Sequence, residues 1–198
     1  MSDKTSNLDA LRKAGAQAKN KLAKSGRQWE DEFGFAVRAV PGLRLEHFGA
    51  PVRVVGTGKV KSGRVHPLVV FDGPAPLDLA GHYCGRHCEI DCKRMTDDKG
   101  SWPILASMSP DQVQRCHDLS EDGCMVGIAM LCDVAGKCYG IPWKVLAVYL
   151  RAGKSSVSLV ELDAMVRAGK VADLRPLGSL FARPFVTLLH EVALGERS

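Results

Sequence analysis

The sequence predicts an α/β domain built around a central β-sheet and preceded by a basic N-terminal arm. Three observations support this fold class. A helical apolar pattern begins near Gln28, short apolar runs typical of strands fill the middle of the chain, and helical periodicity returns from Lys144. The chain has 198 residues, 45% of them hydrophobic and 25% charged, so it has the composition of a globular domain and enough length for a substantial core.

Composition also argues against several classes of protein. No apolar run approaches the roughly 18 residues that span a bilayer, so we expect no membrane partner. No apolar segment follows the first charges, which argues against a secretory signal. The seven cysteines are odd in number and lack the spacing of a secreted disulfide framework. We therefore expect reduced thiols and a cytoplasmic location.

The positive charge is concentrated at the N-terminus. The first 27 residues hold seven Lys or Arg and two Asp, which accounts for the whole net charge of +5. We expect residues 1–26 to form a flexible basic arm and residues 27–198 to form the folded domain. A polyanionic partner would explain such an arm, and a solvated tail without a partner is the alternative.

The first elements follow from spacing and turn residues. Trp29, Phe33, Val37 and Val40 are spaced as one face of a helix, which Pro41-Gly42 ends. Two β-rich runs come next, "PVRVVGTG" and "HPLVVFDG", with a basic link between them. The region of about 52–67 is therefore a candidate insertion in the domain.

The remaining elements lie after a polar loop. Ser109 and Pro110 predict a helix N-terminus, with Ser109 as the cap. The runs "GCMVGIAMLCDV" and "KCYGIPW" predict two strands, the first apolar enough to be central in the sheet. Residues 144–198 are predicted to be a helical C-terminal part.

Between these regions, residues 77–95 are predicted to form a β-hairpin. The runs "LDLAGHY" and "HCEIDCKRM" would be its strands, joined through Cys84-Gly85-Arg86. Alternate residues of a strand point to opposite faces. Glu89, Asp91 and Lys93 would therefore share one face, and Cys88, Ile90 and Cys92 would share the other.

This hairpin would bring together the groups needed for metal-dependent hydrolysis of a phosphodiester. Asp78 begins the first strand and would lie close to Asp91 and Lys93 on the second. Two carboxylates supply the oxygen ligands that Mg²⁺ prefers, and the metal lowers the pKa of a bound water. A neighbouring lysine can stabilise the developing charge. An exposed strand face with alternating charges is the simpler alternative.

The hairpin sequence resembles the RecU-type Holliday-junction resolvases, a branch of the PD-(D/E)xK nuclease superfamily. That family has a D-x-x-G-x-Y-x-G-R hairpin that leads into a strand ending in E-x-K. The matching positions here are Asp78, Gly81, Tyr83, Gly85, Arg86 and the triplet Asp91-Cys92-Lys93. Looser similarity in "GRQWEDEF", "SWPI", Gln112 and "KSSVSLVELD" extends the match over roughly residues 26–190.

The resemblance implies a restriction-endonuclease-like core and a role for each matching residue. Asp78 and Asp91 would bind Mg²⁺, or Mn²⁺ as a substitute, and Lys93 would be the catalytic lysine. Glu30 would be an additional acidic group, and Gln112 would assist near the scissile phosphate. The family favours Glu where this chain has the shorter Asp91, and one hypothesis is that Glu89 on the same face compensates.

The resemblance also implies how DNA is bound. The region corresponding to "RVVGTGKVKSGRVHP" is a projecting stalk that enters the junction centre in such enzymes, and here its length and charge suit phosphate contacts. A solvated hairpin is the alternative. The residues expected to contact DNA are Arg53, Lys59, Lys61, Arg64 and Arg86. Trp102 could stack on a base or pack within the domain.

Zinc is a rival metal. His82, Cys84, His87, Cys88 and Cys92 lie within eleven positions, and zinc favours such ligands. The three cysteines, however, fall four apart rather than in a C-x₂-C knuckle. Because Cys88 and Cys92 share the inward face with Ile90, buried thiols that act as small hydrophobic side chains are the favoured interpretation.

These observations predict a Mg²⁺-dependent endonuclease that resolves four-way DNA junctions during recombination and repair, in a bacterial or phage-infected cell. A homodimer is expected because symmetric resolution needs two cuts on opposing strands. The superfamily leaves 5′-phosphate and 3′-hydroxyl ends. Two alternatives remain open at this point: a PD-(D/E)xK nuclease of repair or restriction specificity, and a DNA-binding protein without cleavage activity.

Overall fold

The computed structural model describes residues 27–47, 52–59, 65–71, 77–96, 100–175 and 179–195. At residues 47, 52–59, 65–71 and 179–181 it describes the backbone alone. The basic arm, residues 1–26, lies outside the described residues. No helix in the described ranges is long and apolar enough to cross a membrane.

A six-stranded mixed sheet forms the centre of the domain, in the order β1-β4-β5-β7-β8-β10. The neighbours β5 and β7 are parallel, and all other neighbouring pairs are antiparallel. The strands are β1 (Leu43–His47), β4 (Leu79–Tyr83), β5 (Arg86–Met95), β7 (Met125–Cys132), β8 (Lys137–Pro142) and β10 (Ala172–Asp173).

Two small sheets accompany the central one. Strands β2 (Val52–Lys59) and β3 (Val65–Phe71) pair with each other as an antiparallel hairpin. Because β1 and β4 are neighbours in the central sheet, this hairpin is an insertion between two adjacent strands. Strands β6 (Ser101–Pro103) and β9 (Ser156–Ser158) form the other small sheet.

Within the part of the chain that the structure describes, six helices surround the sheets. Helix α1 spans residues 27–38. The others are α2 (Ile104–Ser107), α3 (Pro110–Glu121), α4 (Trp143–Arg151), α5 (Leu159–Arg167) and α6 (Ser179–Leu194). The long apolar run predicted as a central strand is β7, and all eight of its residues are buried. Burial on both faces explains why its sequence does not alternate.

The central sheet separates two hydrophobic cores. Helices α1 and α6 pack on one face, and we call this the first core; it includes Phe33, Ile90 and Phe185. Helices α3, α4 and α5 pack on the other face, and we call this the second core; it includes Cys116, Ile128 and Leu162. The central sheet is therefore covered by helices on both faces.

The apolar face predicted for α1 packs as expected. Trp29, Phe33 and Val37 of α1 are buried in the first core, and Val40 is buried there too although the helix ends at residue 38, two residues before it. Trp29 also donates an indole hydrogen bond to the Ala129 carbonyl of β7, at 3.3 Å. This contact fixes the start of α1 beside the two central strands.

Four short strands were not anticipated from the sequence. Strand β1 is an edge strand, and β6, β9 and β10 have only three, three and two residues. Residues 144–198 therefore contain two short strands as well as helices. Trp102 on β6 is buried in the second core, so it packs within the domain and is not exposed for stacking on a base.

Candidate functional site

The predicted hairpin is formed by β4 and β5. Its turn consists of Cys84 and Gly85 alone, whose φ angles are 50° and 78°, and Arg86 already belongs to β5. Two consecutive residues with positive φ are typical of a tight two-residue hairpin turn, in which glycine has the lowest steric cost. The predicted connection, Cys84-Gly85-Arg86, is therefore one residue longer than the observed turn.

Gly81 brings the edge strand close to this hairpin. It pairs with Leu45 of β1, and a Cβ atom at this position would lie 1.7 Å from the Arg44 carbonyl oxygen. A glycine is required here because the two backbones approach too closely for any side chain.

Residues of β5 alternate between the two faces of the sheet as predicted. Cys88, Ile90 and Cys92 are buried in the first core. Glu89 and Asp91 point to the opposite face, where side chains of α3 contact both. The strand therefore has one purely packed face and one face that carries ionisable groups.

The hairpin register places Asp78 opposite Asp91. Leu79 pairs with Ile90 in the antiparallel ladder, so Asp78, the residue before Leu79, lies across from Asp91. Directly opposed residues share one face of the sheet. Asp78 Oδ2 accepts a hydrogen bond from the Cys92 backbone N–H at 2.7 Å, which fixes its carboxylate at the end of the hairpin. The two acids singled out from the sequence are thus neighbours.

Asp91 is fully buried and contacts two of the predicted site residues. Lys93 Nζ lies 2.7 Å from Asp91 Oδ2, although the ammonium is not aligned as a hydrogen-bond donor to that oxygen. Gln112 Nε2 donates to Asp91 Oδ1 at 3.3 Å. Asp78, Asp91, Lys93 and Gln112 therefore form one cluster, which we call the carboxylate cluster.

The electrostatics of the carboxylate cluster disfavour two full negative charges. Burial raises the pKa of Asp91 to about 7. The Lys93 ammonium opposes this shift, and the neighbouring Asp78 carboxylate adds to it. A cation bound beside the two carboxylates would therefore favour the ionised form of Asp91.

Helix α3 presents Gln112 through its N-terminal cap. Ser109 accepts a hydrogen bond from the Gln112 N–H at 3.2 Å, and Gln112 Oε1 accepts one from the Ser109 N–H at 3.0 Å. This is the reciprocal capping box, with Pro110 at the first helical position as predicted. Because its oxygen is held by the cap, the side chain directs its amide nitrogen to Asp91.

Glu89 does not join the carboxylate cluster. It is buried, and Arg115 of α3 binds both of its oxygens, with Nε donating to Oε2 at 2.7 Å. His87 Nε2 lies 2.8 Å from Oε1. Burial opposes ionisation of Glu89, but the hydrogen bonds from Arg115 and His87 outweigh it and lower its pKa. The hypothesis that Glu89 compensates for the short Asp91 therefore has no support in these contacts.

Arg115 was missed at the level of sequence. It lies three residues after Gln112, so both side chains fall on the same face of α3. Once Gln112 had been assigned to the site, this spacing was the signal that could have identified Arg115.

Glu30 lies near the carboxylate cluster but on the side of α1. It is half-buried, and its charge is one of the causes that raise the pKa of the Cys92 thiol, after burial and the charges of Asp78 and Asp91. The charges of three acidic side chains therefore act on Cys92.

Of the residues expected to contact DNA, Arg86 alone has a described side chain. Arg86 Nη1 donates to the Gly123 carbonyl at 3.1 Å, and it lies five residues from Asp91, about 17 Å along the strand. Arg53 and Lys59 lie on β2, where only the backbone is described, and Lys61 and Arg64 lie outside the described residues.

The carboxylate cluster fits a hard divalent cation. Asp91 Oδ2 is buried and forms an ion pair with Lys93 at 2.7 Å, and a carboxylate oxygen that binds an ammonium still has a second lone pair that could bind a metal. No group of three or more His, Cys, Asp or Glu side chains in the described ranges is arranged to hold a metal ion. Two carboxylates are nevertheless the usual protein contribution to a Mg²⁺ site, which is completed by water and substrate phosphate.

The cysteines of β5 are packed and inert. Burial, with the charges of Glu89 and Cys124, raises the pKa of Cys88 to about 12, and burial is the first cause of the raised pKa of Cys92. Both thiols are therefore protonated and weakly nucleophilic at neutral pH. Cys84 is exposed at the hairpin turn.

Replacing both buried thiols should reduce stability without releasing a metal. Cys88→Ala with Cys92→Ala leaves small voids in the first core, and we expect a loss on the order of 1 kcal/mol per site in urea unfolding. Elemental analysis of the purified wild-type protein should find no stoichiometric zinc. Zinc that is bound by the wild type and lost together with the fold in the double variant would contradict this assignment.

A groove of about 1180 Å³ lies elsewhere on the domain. It runs between α4 and the C-terminal ends of α3, α5 and α6, with Trp143, Lys144 and Val148 among its lining residues. None of the residues of the carboxylate cluster lines it. The site is therefore distinct from this groove.

Comparison with known proteins adds no family assignment, since no family model and no curated protein matches this chain. The functional argument therefore depends on the residues and their geometry.

Proposed function

We propose that this protein is a Mg²⁺-dependent endodeoxyribonuclease that resolves four-way DNA junctions. The observation that supports this proposal most directly is the position of Asp78 beside Asp91 at the end of the hairpin, with Lys93 Nζ 2.7 Å from the Asp91 carboxylate. A solvated strand face would leave these groups exposed, whereas Asp91 is fully buried and Lys93 largely so.

The side chains of the carboxylate cluster have separable roles in this proposal. Asp78 and Asp91 would hold the cation, and the Cys92 N–H and the Gln112 amide fix the orientations of the two carboxylates. Bound there, Mg²⁺ would activate a water and neutralise charge at the phosphate. Lys93 favours the ionised form of Asp91 and would stabilise negative charge that develops on the phosphate. Glu30 is an additional acid at the edge of the site.

A restriction-endonuclease-like core is part of the proposal. It is supported by the mixed sheet with helices on both faces and by the position of β5 near its centre. The β2–β3 hairpin, inserted between neighbouring strands, would be the stalk that contacts the junction. A homodimer would supply the two sites that symmetric cleavage requires.

Substrate selectivity tests the proposed function. The full chain is incubated with Mg²⁺ and either a labelled four-way junction or a linear duplex of the same sequence, at equal concentrations and fixed salt, since DNA affinity depends on salt. We expect paired nicks at symmetric positions of the junction and little cutting of the duplex. Equal cutting of both substrates would indicate another nuclease specificity, and binding without cutting in Mg²⁺ or Mn²⁺ would exclude nuclease activity.

A further inference from the structure

We propose that Arg115 is a positioning residue for the carboxylate cluster, acting through its ion pair with the buried Glu89. The inference extends the proposed nuclease function, since it concerns how the same site is held in place. Arg115 binds Glu89. Its effect on Asp91 and Lys93 would therefore pass through Glu89 and through helix α3.

Glu89 connects three segments that carry residues of the site. Its own strand, β5, carries Asp91 and Lys93. Its Oε2 atom is also 3.5 Å from the N–H of Leu77, the residue directly before Asp78. Arg115 holds both carboxylate oxygens from α3, the helix that presents Gln112. One carboxylate therefore links all three segments.

The chemistry of this ion pair suits a fixed geometry. A guanidinium that binds a carboxylate through two parallel N–H groups defines both distance and orientation, whereas a lysine supplies only a point charge. Glu89 is 1% exposed, so the pair is shielded from competing water on the carboxylate side. Because Gln112 and Arg115 lie one turn apart, fixing Arg115 on β5 also fixes the distance from Gln112 to Asp91.

The proposed chemistry depends on the position of Gln112, because Gln112 helps to orient Asp91. Gln112 contacts Asp91 through a single hydrogen bond of 3.3 Å, and its oxygen is already held by the Ser109 cap. A small displacement of α3 away from β5 would break that contact and leave the Asp91 carboxylate oriented by Lys93 without the Gln112 amide. Misplacement of catalytic groups by about 1 Å can lower a rate by about 100-fold.

The test removes the pair without leaving a buried charge. Arg115→Gln alone would leave Glu89 buried without its main partner and could unfold the domain. The informative variant therefore combines Glu89→Gln with Arg115→Met, which removes both charges while keeping similar volumes. Arg115→Lys is the conservative variant, because it keeps the charge but lacks the two parallel N–H groups of the guanidinium. Arg94→Gln is the matched control, since Arg94 lies on β5 like Glu89 and pairs with Asp133.

Two measurements are made on each folded full-length variant. The first is the side-chain amide NMR signal of Gln112 without DNA, assigned by its loss in Gln112→Ala. The second is kcat and KM for junction cleavage in Mg²⁺. In the double variant we expect a shifted, faster-exchanging Gln112 amide and a kcat lower by about 10- to 100-fold with little change in KM. Arg115→Lys should be intermediate, and Arg94→Gln should match the wild type.

The outcomes separate this inference from the proposed function. An unchanged Gln112 amide, or a kcat that falls only with the folded fraction, would show that the pair is merely structural and would overturn the inference. If the wild-type protein cleaves no DNA, the proposed function fails, but the NMR comparison still decides whether Arg115 positions α3 on β5.

Discussion

Asp91→Asn and Asp78→Asn are each expected to lower Mg²⁺-dependent junction cleavage by about 10³-fold or more. Each substitution removes a carboxylate ligand, and the several kcal/mol of transition-state stabilisation that a metal supplies corresponds to this factor. Junction binding should be retained or slightly strengthened, because one negative charge near the DNA phosphates is lost. Single-turnover cleavage and a binding titration at the same salt concentration measure the two effects separately.

Asp133→Asn is the matched control for these variants. Asp133 follows β7 and pairs with Arg94 at 2.7 Å, outside the carboxylate cluster. Its replacement should leave the cleavage rate within a factor of about two, because exposed ion pairs contribute little. Wild-type cleavage by either Asp78→Asn or Asp91→Asn would exclude that residue from the site.

The centre of the domain was predictable because its local patterns agree with the tertiary structure. Helix α1 has apolar residues at helical spacing, α3 has a complete capping sequence, and β7 is apolar along its whole length. In β5, charged residues at every second position indicated which face would be packed. The juxtaposition of Asp78 and Asp91 followed from the hairpin alone, since only a short turn separates the two strands.

The parts that were missed depend on contacts distant in sequence. Strand β1 contains "LRLEH", and only its pairing with β4 distinguishes this short stretch from a connecting segment. Strand β10 has two residues and forms only against β8. Arg115 lies on a polar helix, where the local sequence does not distinguish it from a surface residue. Its ion pair with Glu89 joins positions that are 26 residues apart. Such pairings are set by the packing of whole elements, not by local pattern.

As pH rises from about 4 to 7, the free energy of unfolding of the wild-type protein is expected to fall relative to that of Asp91→Asn. Burial and Asp78 raise the pKa of Asp91 from the model-compound value of 3.8 to about 7, so in this range the folded state binds a proton that the unfolded state has released. Stability then decreases with pH, because the unfolded state binds fewer protons. Asn carries no titrating proton, so Asp91→Asn lacks this contribution, while the other titrating groups largely cancel in the comparison.

Thermal and urea unfolding of both proteins without Mg²⁺ at pH 5 and pH 8 measures this difference. Between pH 5 and the folded-state pKa of about 7, each pH unit lowers the free energy of unfolding of the wild type by somewhat more than about 1 kcal/mol, so Asp91→Asn should gain roughly 2 to 3 kcal/mol on the wild type between the two pH values. Mg²⁺ should stabilise the wild type at pH 8 and reduce the gap, since a cation beside Asp91 favours its ionised form. If the difference in unfolding free energy between the two proteins stays constant from pH 5 to pH 8, folding does not raise the pKa of Asp91. The electrostatic reason for a cation at this site would then be lost.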